Sequence, residues 1–273
     1  MGKINNISGN FFNNFVQNFR VFLQLIRRDI KVLKSNIISV LIDNLCMLCV
    51  VILTFGYLLP KMGMEKNLIG PIFIGQTLSH LFEIGFSLAT KIVQDIKFNK
   101  FIEYQLGLPI SVGWLITAYI VNFIIEASVI TLPMLTLGIL ILGKKFIIYK
   151  TSWLGFIVIY TLVTIFFAAL FMLYSFAYEY TWFWNNIWPR RIEPLYDFGC
   201  IYFLWKKLYA FSPVLGTLFL LNPVTYATEG TRAALIGGNQ FIHILFCIIG
   251  LTIAILLILY LLKDRVRKRL DHI

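Results

Sequence analysis

The sequence predicts an all-α integral membrane protein with six transmembrane helices. Three observations lead to this fold class: a mean hydropathy of +0.81, an apolar share of 59% against 14% charged residues, and apolar segments that recur along the whole chain with short polar breaks. Soluble domains contain roughly 45–50% apolar residues, so a water-soluble fold is excluded. The 273 residues are therefore expected to form one continuous membrane domain.

Residues 1–36 are predicted to form a cytoplasmic tail and an amphipathic helix on the membrane surface. Between residues 11 and 34, apolar side chains recur at alternating steps of three and four, and polar or basic side chains occupy the opposite face. The apolar positions are Phe11, Phe15, Phe19, Phe22, Ile26, Ile30 and Leu33. This stretch has no uninterrupted apolar core of the kind found in cleavable signals. The first span is therefore expected to act as its own insertion signal.

Six spans are predicted between residues 37 and 262. A helix needs about 20 apolar residues to cross the hydrocarbon region. The segments of suitable length lie near 37–59, 70–90, 112–142, 152–178, 195–220 and 241–262. The third is long enough to tilt or to contain a break at Pro133, and the fifth is interrupted by Lys206, Lys207 and Pro213.

The distribution of charge predicts that both termini are cytoplasmic. The chain has 24 Lys and Arg against 13 Asp and Glu, and the excess is concentrated before the first span and in a basic tail of residues 263–273. With both ends inside, 16 of the 24 basic residues are cytoplasmic, as the positive-inside rule favours. The internal loops alone favour the opposite orientation, so this prediction depends on the termini. Basic flanks suit anionic lipid, and no nucleic-acid partner is expected.

The longest polar break between spans, residues 91–111, is predicted to contain a short cytoplasmic helix. Its sequence KIVQDIKFNKFIEYQLGLPIS mixes charged and apolar residues. Gly107 suits the C-terminus of a helix, and Pro109 prevents continuation into the next span. An ordinary amphipathic connector fits this pattern equally well.

A short helix is predicted from about 222 to 237, before the last span. Asn222 and Pro223 match an N-cap and a first helical position, while Gly237 and Gly238 supply a stop. About four turns are too few to cross the bilayer, so this helix is expected to be re-entrant.

One face of this short helix carries Glu229 and Arg232. Their spacing allows the two charges to pair, together with Thr225 and Thr228 on the same face. The pair either fixes the helix against its neighbours or contacts a cargo, and the spacing leaves both interpretations open.

Two motifs resemble the permease subunits of the type-2 ATP-binding-cassette (ABC-2) exporter family. The sequence NPVTYATEGTR is similar to the family's signature before its last span, through Asn222, Pro223, Tyr226 and Arg232. The sequence EYQLGLPIS, residues 103–111, is similar to the stretch that precedes the third span. The span count and the basic tail extend the resemblance over nearly the whole chain. The region from Trp182 to Lys207, rich in Trp and charge, departs from the family pattern.

The resemblance implies the permease subunit of an exporter. The aromatic share of 16% and the absence of a large external domain suit an amphipathic cargo, such as a lipid-linked glycan, a lipid or a drug. The resemblance implies no enzymatic activity and no cofactor on this chain, because ATP and Mg would be bound by a separate ATPase subunit. A homodimer in the plasma membrane is implied, with a bacterial inner membrane expected. The ATPase would dock on residues 91–107 and on the N-terminal helix. The expected coupling residues are Lys91, Asp95, Lys97, Lys100 and Glu103.

Two other readings compete with an ABC permease. Ionisable residues within predicted spans are functional candidates, and a proton-coupled secondary transporter could use Glu83, His80 and Glu126 as a relay. No inverted repeat accompanies them. An intramembrane enzyme is disfavoured because the three His form no HExxH motif and no paired catalytic carboxylates are visible.

The sequence also contains patterns that we interpret as decoys. Residues 138–145 partly match a phosphate-binding loop, but Lys145 stands where Ser or Thr must reach Mg²⁺. The four Cys lie in apolar stretches without His or acidic neighbours, as is typical of structural Cys. No metal or nucleotide site is therefore predicted on this chain.

Overall fold

The structure is a computed structural model that describes the backbone of residues 2–99, 110–143, 146, 148–149 and 151–270, and within these the side chains of residues 15–269. All the regular secondary structure in this part of the chain is helical. Five of these helices are long and apolar enough to cross a membrane, one fewer than the six predicted spans. The all-α membrane fold class is therefore confirmed, and the difference in the span count lies in one region.

The first helix, α1 (Gly2–Val51), continues through a π-helical stretch (Ile52–Leu58) and a last turn (Leu59–Lys61). The predicted boundary at residue 36 is not a break in this helix. The reason is that residues 10–55 contain neither Gly nor Pro. The apolar face of the N-terminal half packs on Trp114, whose ring lies 5.4 Å from that of Phe15 and 5.5 Å from that of Phe22.

Four further long helices follow: α2 (Ile69–Gln94), α3 (Val112–Leu142), α4 (Trp153–Ala177) and, at the end of the chain, α10 (Ile244–Leu270). Helix α3 continues through Pro133, so the predicted alternative of a break there is wrong. Its 31 residues span about 46 Å at 1.5 Å each, which exceeds the roughly 30 Å hydrocarbon thickness and favours tilting.

The fifth predicted span, near 195–220, is not a continuous helix. The chain forms α5 (Tyr180–Ile187), a π-helical stretch (Trp188–Ile192) and α6 (Glu193–Asp197), then loses helical structure from 198 to 204. Two short helices follow, α7 (Trp205–Phe211) and α8 (Pro213–Phe219). The interruption has local causes: Gly199 follows α6 and Cys200 has a positive φ of 55°, while Pro213 starts a new helix capped by Ser212.

Helix α4 lies at the centre of the molecule and packs against α2, α3, α10 and α9 (Pro223–Leu235). Its buried side chains are mainly aromatic and aliphatic. The ring of Phe167 lies 4.8 Å edge-on to Phe82 of α2, and Phe171 packs against the same ring. Aromatic contacts of this kind therefore pack the central helices together.

The contacts between loops define two opposite ends of the bundle. At one end, which we call the loop end (residues 61–66, 148–149, 151–152, 205–211 and 236–243), Lys207 pairs with Glu65 at 2.6 Å and the amide of Tyr149 donates to the carbonyl of Ile236 at 2.8 Å. At the other, which we call the basic end, the end of α2 meets α1, α5 and the tail of α10. Helices α2, α4 and α10 run between these ends.

Candidate functional site

Helix α9 carries the NPVTYATEGTR motif and, at Pro223–Leu235, lies within the predicted range of about 222–237. The Asn222 side chain accepts a hydrogen bond from the amide of Val224 at 3.0 Å, and Pro223 occupies the first turn. The helix ends before Gly237 and Gly238, which have φ values of 72° and 91°. Its 13 residues extend about 20 Å, too little to cross a bilayer.

The Arg232 side chain is fully buried and binds five oxygen atoms. Its Nε donates to the carbonyl of Pro71 at 2.8 Å. Its two terminal nitrogens donate to three carbonyls of the non-helical segment 198–204: Cys200 at 2.7 Å, Ile201 at 2.7 Å and Phe203 at 3.0 Å. The fifth bond goes to the Glu229 carboxylate at 3.0 Å. All three guanidinium nitrogens thus have acceptors within the protein.

The Glu229 carboxylate neutralises Arg232 and also receives two backbone amides. Both side chains of the pair have an exposure of 0%. One carboxylate oxygen accepts from the amide of Trp205, at the start of α7, and the other from the amide of Ile242, each at 3.3 Å. A carboxylate at a helix N-terminus is favourable because amides there lack partners within the helix. We call Glu229, Arg232 and the groups they bind the Arg232 clamp.

Two threonines of α9 extend the clamp along the same segment. The hydroxyl of Thr228 donates to the carbonyl of Gly199 at 2.8 Å. The hydroxyl of Thr225 lies 3.3 Å from the carbonyl of Phe198 and 2.8 Å from that of Phe219. One face of α9 therefore provides hydrogen bonds for the carbonyls of residues that have left the helical conformation.

The clamp depends on close approach between the segment and α2, at Gly75. A Cβ added at Gly75 would lie 2.2 Å from the carbonyl oxygen of Ile201 and 2.7 Å from a terminal nitrogen of Arg232. Only glycine lets the backbone of the segment reach this depth. Sequence reasoning did not identify this residue, because a glycine within an apolar span has several possible roles.

Comparison with protein-family models and with curated proteins identifies no relative of this chain. No protein-family model matches the chain, and no curated protein matches it significantly. The functional interpretation of the site therefore depends on its geometry and on the motifs described above.

The predicted coupling residues lie partly within the described part of the chain. Lys91 lies 3.9 Å from Glu126 of α3, Asp95 is buried with 9% exposure, and Lys97 follows in a π-helical stretch, Asp95–Asn99. Lys100 and Glu103 fall outside the described residues.

Two cavities at the basic end bring these residues beside the first helix and the tail of α10. One, of about 500 Å³, lies between α1, at Arg28 and Asp29, and the end of α2, at Lys91 and the following Asp95. The other, of about 570 Å³, joins Lys97 to the tail of α10; its charged lining residues are Lys97, Glu179, Arg265, Lys268 and Arg269. The end of α2, the first helix and the basic tail thus form one polar surface.

The three residues of the alternative proton relay are divided between two pairs. Nδ1 of His80 lies 3.2 Å from Glu83 on the same helix, whereas Glu126 pairs with Lys91. The His80 side chain is buried and that of Glu83 is 57% exposed. The geometry therefore gives two separate contacts, one within α2 and one between α2 and α3.

The Arg232 clamp has the chemistry of a structural site. Each charged atom of Glu229 and Arg232 is occupied by a protein partner, so the pair resembles a structural ion pair more than a group waiting for a substrate. Sequence reasoning predicted the pair but missed its targets: Pro71, Trp205 and the carbonyls of 198–204. The sequence signal that could have found them is Gly199, which interrupts an apolar stretch close to the charged α9.

Proposed function

We propose that this chain is the membrane-spanning permease subunit of an ABC-2 type exporter, which moves an amphipathic cargo with energy from a separate ATPase. The cargo class is a lipid-linked glycan, a lipid or a drug. In this proposal the chain catalyses no reaction, ATP and Mg are bound by the partner, and the functional unit contains two copies of the chain in a bacterial inner membrane.

The described contacts are consistent with six crossings of which the fifth is broken. Helices α5 and α6 with the π-helical stretch between them form an 18-residue helical run, Tyr180 to Asp197, which is about 27 Å long. The segment 198–204 and α7 then lead to the loop end. Helices α8 and α9 turn back as a re-entrant pair, and α10 returns to the basic end, so both termini lie on the same, cytoplasmic side.

The clamp gives a physical reason why such a break can exist inside a membrane. Non-helical backbone at membrane depth is tolerated only when its polar groups are satisfied by protein or water. Arg232, Glu229 and Thr228 provide those partners here. Broken helices of this kind occur in transporters near their translocation paths, and this supports assigning the fifth crossing to the cargo path.

The observation that carries the proposal is the separation of the described coupling residues, Lys91, Asp95 and Lys97, from the motif on α9. The described part of the 91–111 loop joins α1 and the basic tail at one end, where an ATPase could grip the chain. Helix α9 connects to the opposite end through hydrogen bonds from Thr151 and Ser152 to its last carbonyls. An exporter driven from the cytoplasm needs this arrangement, because the ATPase acts on one end of the permease and the cargo is released at the other.

Co-purification with an ATPase tests the proposal. We expect a nucleotide-binding subunit encoded next to this chain to co-purify with it from membranes. Reversing two charges of the basic end, Lys97→Glu with Arg265→Glu, is expected to reduce the bound ATPase at least tenfold, because both residues line the same cavity.

A matched variant at the loop end, Lys61→Glu with Lys66→Glu, changes the net charge equally on exposed side chains and is expected to leave the ATPase bound. Transport by the isolated chain in liposomes, driven by a pH gradient without any ATPase, would contradict the proposal and favour a secondary transporter.

A further inference from the structure

A cavity of about 600 Å³ lies beside the π-helical stretch Trp188–Ile192 and α8, away from the Arg232 clamp's charged groups. Arg190 and Arg191 line it on one side together with Tyr174. Its opposite wall is apolar and includes Leu215, Leu218, Phe219 and Leu221. No acidic residue is among the residues that line it.

The two arginines have no counter-ion within the part of the chain that the structure describes. The ion pairs found there do not include Arg190 or Arg191. The nearest acidic residues in sequence, Glu193 and Asp197, are exposed and lie outside the cavity lining. Two adjacent positive charges therefore line the cavity without a carboxylate paired directly with either of them.

Contacts with α2 place the arginines about midway between the loop end and the basic end of the bundle. Before them, Phe183 and Trp188 pack against Phe86 with ring distances of 5.7 and 5.4 Å. After them, Tyr196 packs against Phe82 at 5.3 Å. Phe82 and Phe86 lie near the centre of the 26-residue helix α2. At this depth an unpaired guanidinium is costly, so it requires an anion or a water-filled cavity.

The apolar wall of the cavity is open towards the surroundings of the bundle. Leu218 is 54% exposed and Leu221 is 79% exposed. A small soluble anion would leave this surface unused, whereas a molecule with a charged head and an apolar chain would contact both walls. The arrangement thus complements an anionic amphiphile.

We propose that this cavity binds a phosphate-bearing amphiphile. The phosphate is held by the guanidinium groups of Arg190 and Arg191, whose planar donor geometry suits phosphate oxygens. The hydrocarbon chain lies along Leu215, Leu218 and Leu221. The assignment rests on the proposed membrane topology, and it narrows the exported cargo class to anionic lipids and lipid-linked phosphates.

Native mass spectrometry of the full-length chain, purified without any ATPase, tests this inference. The probes are dioleoyl phosphatidic acid, dioleoyl phosphatidylcholine with the same chains, and inorganic phosphate. We expect phosphatidic acid to bind at least tenfold more tightly than either other probe. Arg190→Gln with Arg191→Gln should reduce that binding at least tenfold. The matched control Lys61→Gln with Lys66→Gln, which removes two exposed charges from the loop end, should change it less than twofold.

A charge-retaining variant, Arg190→Lys with Arg191→Lys, keeps the test valid if the Gln variant does not fold, and it should bind with intermediate affinity. Equal binding of phosphatidylcholine, competition by inorganic phosphate as strong as by the lipid, or unchanged binding in both arginine variants would overturn the inference. These outcomes are independent of ATPase co-purification, so failure of the site and failure of the proposed function are distinguishable.

Discussion

Helix α4 and the segment 198–204 are both buried in the same bundle, yet their backbones are stabilised in opposite ways. In the interior of α4, each carbonyl finds a partner within its own helix, and the side chains contribute packing, as Phe167 does against Phe82. In the segment 198–204, the carbonyls of Cys200, Ile201 and Phe203 all bind the side chain of Arg232. A regular span is self-sufficient in hydrogen bonds, whereas the broken one depends on a few distant residues.

This difference makes the stability of the protein more sensitive to substitutions in the Arg232 clamp than to substitutions on α4. A substitution on α4 loses the packing of one side chain, but a substitution in the clamp leaves several backbone groups without partners at once. Polar groups buried without hydrogen bonds are among the costliest defects in a folded protein. Substitutions of similar size should therefore have unequal effects in the two regions.

The largest effect is expected for Arg232→Met, which retains a long apolar side chain and removes the guanidinium. The carbonyls it binds lose a donor, and the Glu229 carboxylate remains buried without its counter-charge. We expect the free energy of unfolding to fall by about 3–5 kcal/mol, measured by denaturant titration in mixed micelles. Arg267→Met, in the exposed tail of α10, is the control and should change it little. Equal effects of the two substitutions would show that the clamp contributes nothing.

The next effect is expected for Gly75→Ala. The added methyl group would collide with the carbonyl of Ile201, so the segment must move away from α2 and weaken its bond to Arg232. Overpacking of this kind costs about 1–3 kcal/mol. Gly113→Ala in α3, where no heavy atom lies within 4 Å of the added Cβ, should be neutral or slightly stabilising in the same titration. A neutral Gly75→Ala would mean that the segment does not approach α2 this closely.

A matched pair of threonines compares the two regions most evenly, because Thr164 of α4 and Thr228 of α9 both have an exposure of 0%. The hydroxyl of Thr164 donates to carbonyls of its own helix, which already have partners there. The hydroxyl of Thr228 also donates to Gly199, outside its helix.

Thr228→Val should therefore cost about 1 kcal/mol, while Thr164→Val should cost less than about 0.5 kcal/mol. Unfolding titrations of both variants check this, and the reverse order would be inconsistent with the comparison.

The smallest effect is expected for Glu65→Gln, which breaks the 2.6 Å pair with Lys207 at the loop end. The side chains are 63% and 50% exposed, and exposed ion pairs contribute about 0–1 kcal/mol. The change in unfolding free energy should be smaller than that of Gly75→Ala and should vanish in high salt. A larger effect would show that α7 is held to the loop end by this pair.

Hydropathy and helix punctuation predicted the regular parts of this fold from sequence. Five predicted spans correspond to long helices, and Asn222, Pro223 and Gly237 marked the ends of α9 where the structure has them. These features are local, since a run of apolar residues or a capping residue determines the structure around itself.

The broken fifth crossing could not be predicted in the same way. Residues 195–220 contain enough apolar residues to suggest a span, but Gly199 and Pro213 divide them. The helical run before the break was overlooked because Trp, Arg190 and Arg191 lower its hydropathy. The groups that bind and contact the segment 198–204 come from α2 and α9, which are distant in sequence, and no local sequence pattern indicates such pairings. The absence of a break at residue 36 was also missed, although residues 10–55 contain no Gly or Pro.

The central structural claim is that the Arg232 guanidinium binds the carbonyl of Cys200. Solid-state NMR of the chain in lipid, with ¹³C-carbonyl Cys and ¹⁵N-guanidinium Arg, measures this contact through dipolar dephasing. Of the four Cys signals, one should dephase strongly, as expected for an N···O distance of 2.7 Å. That signal should disappear in Cys200→Ala, and its dephasing should be lost in Arg232→Met. Four Cys carbonyls that all remain undephased would contradict the account.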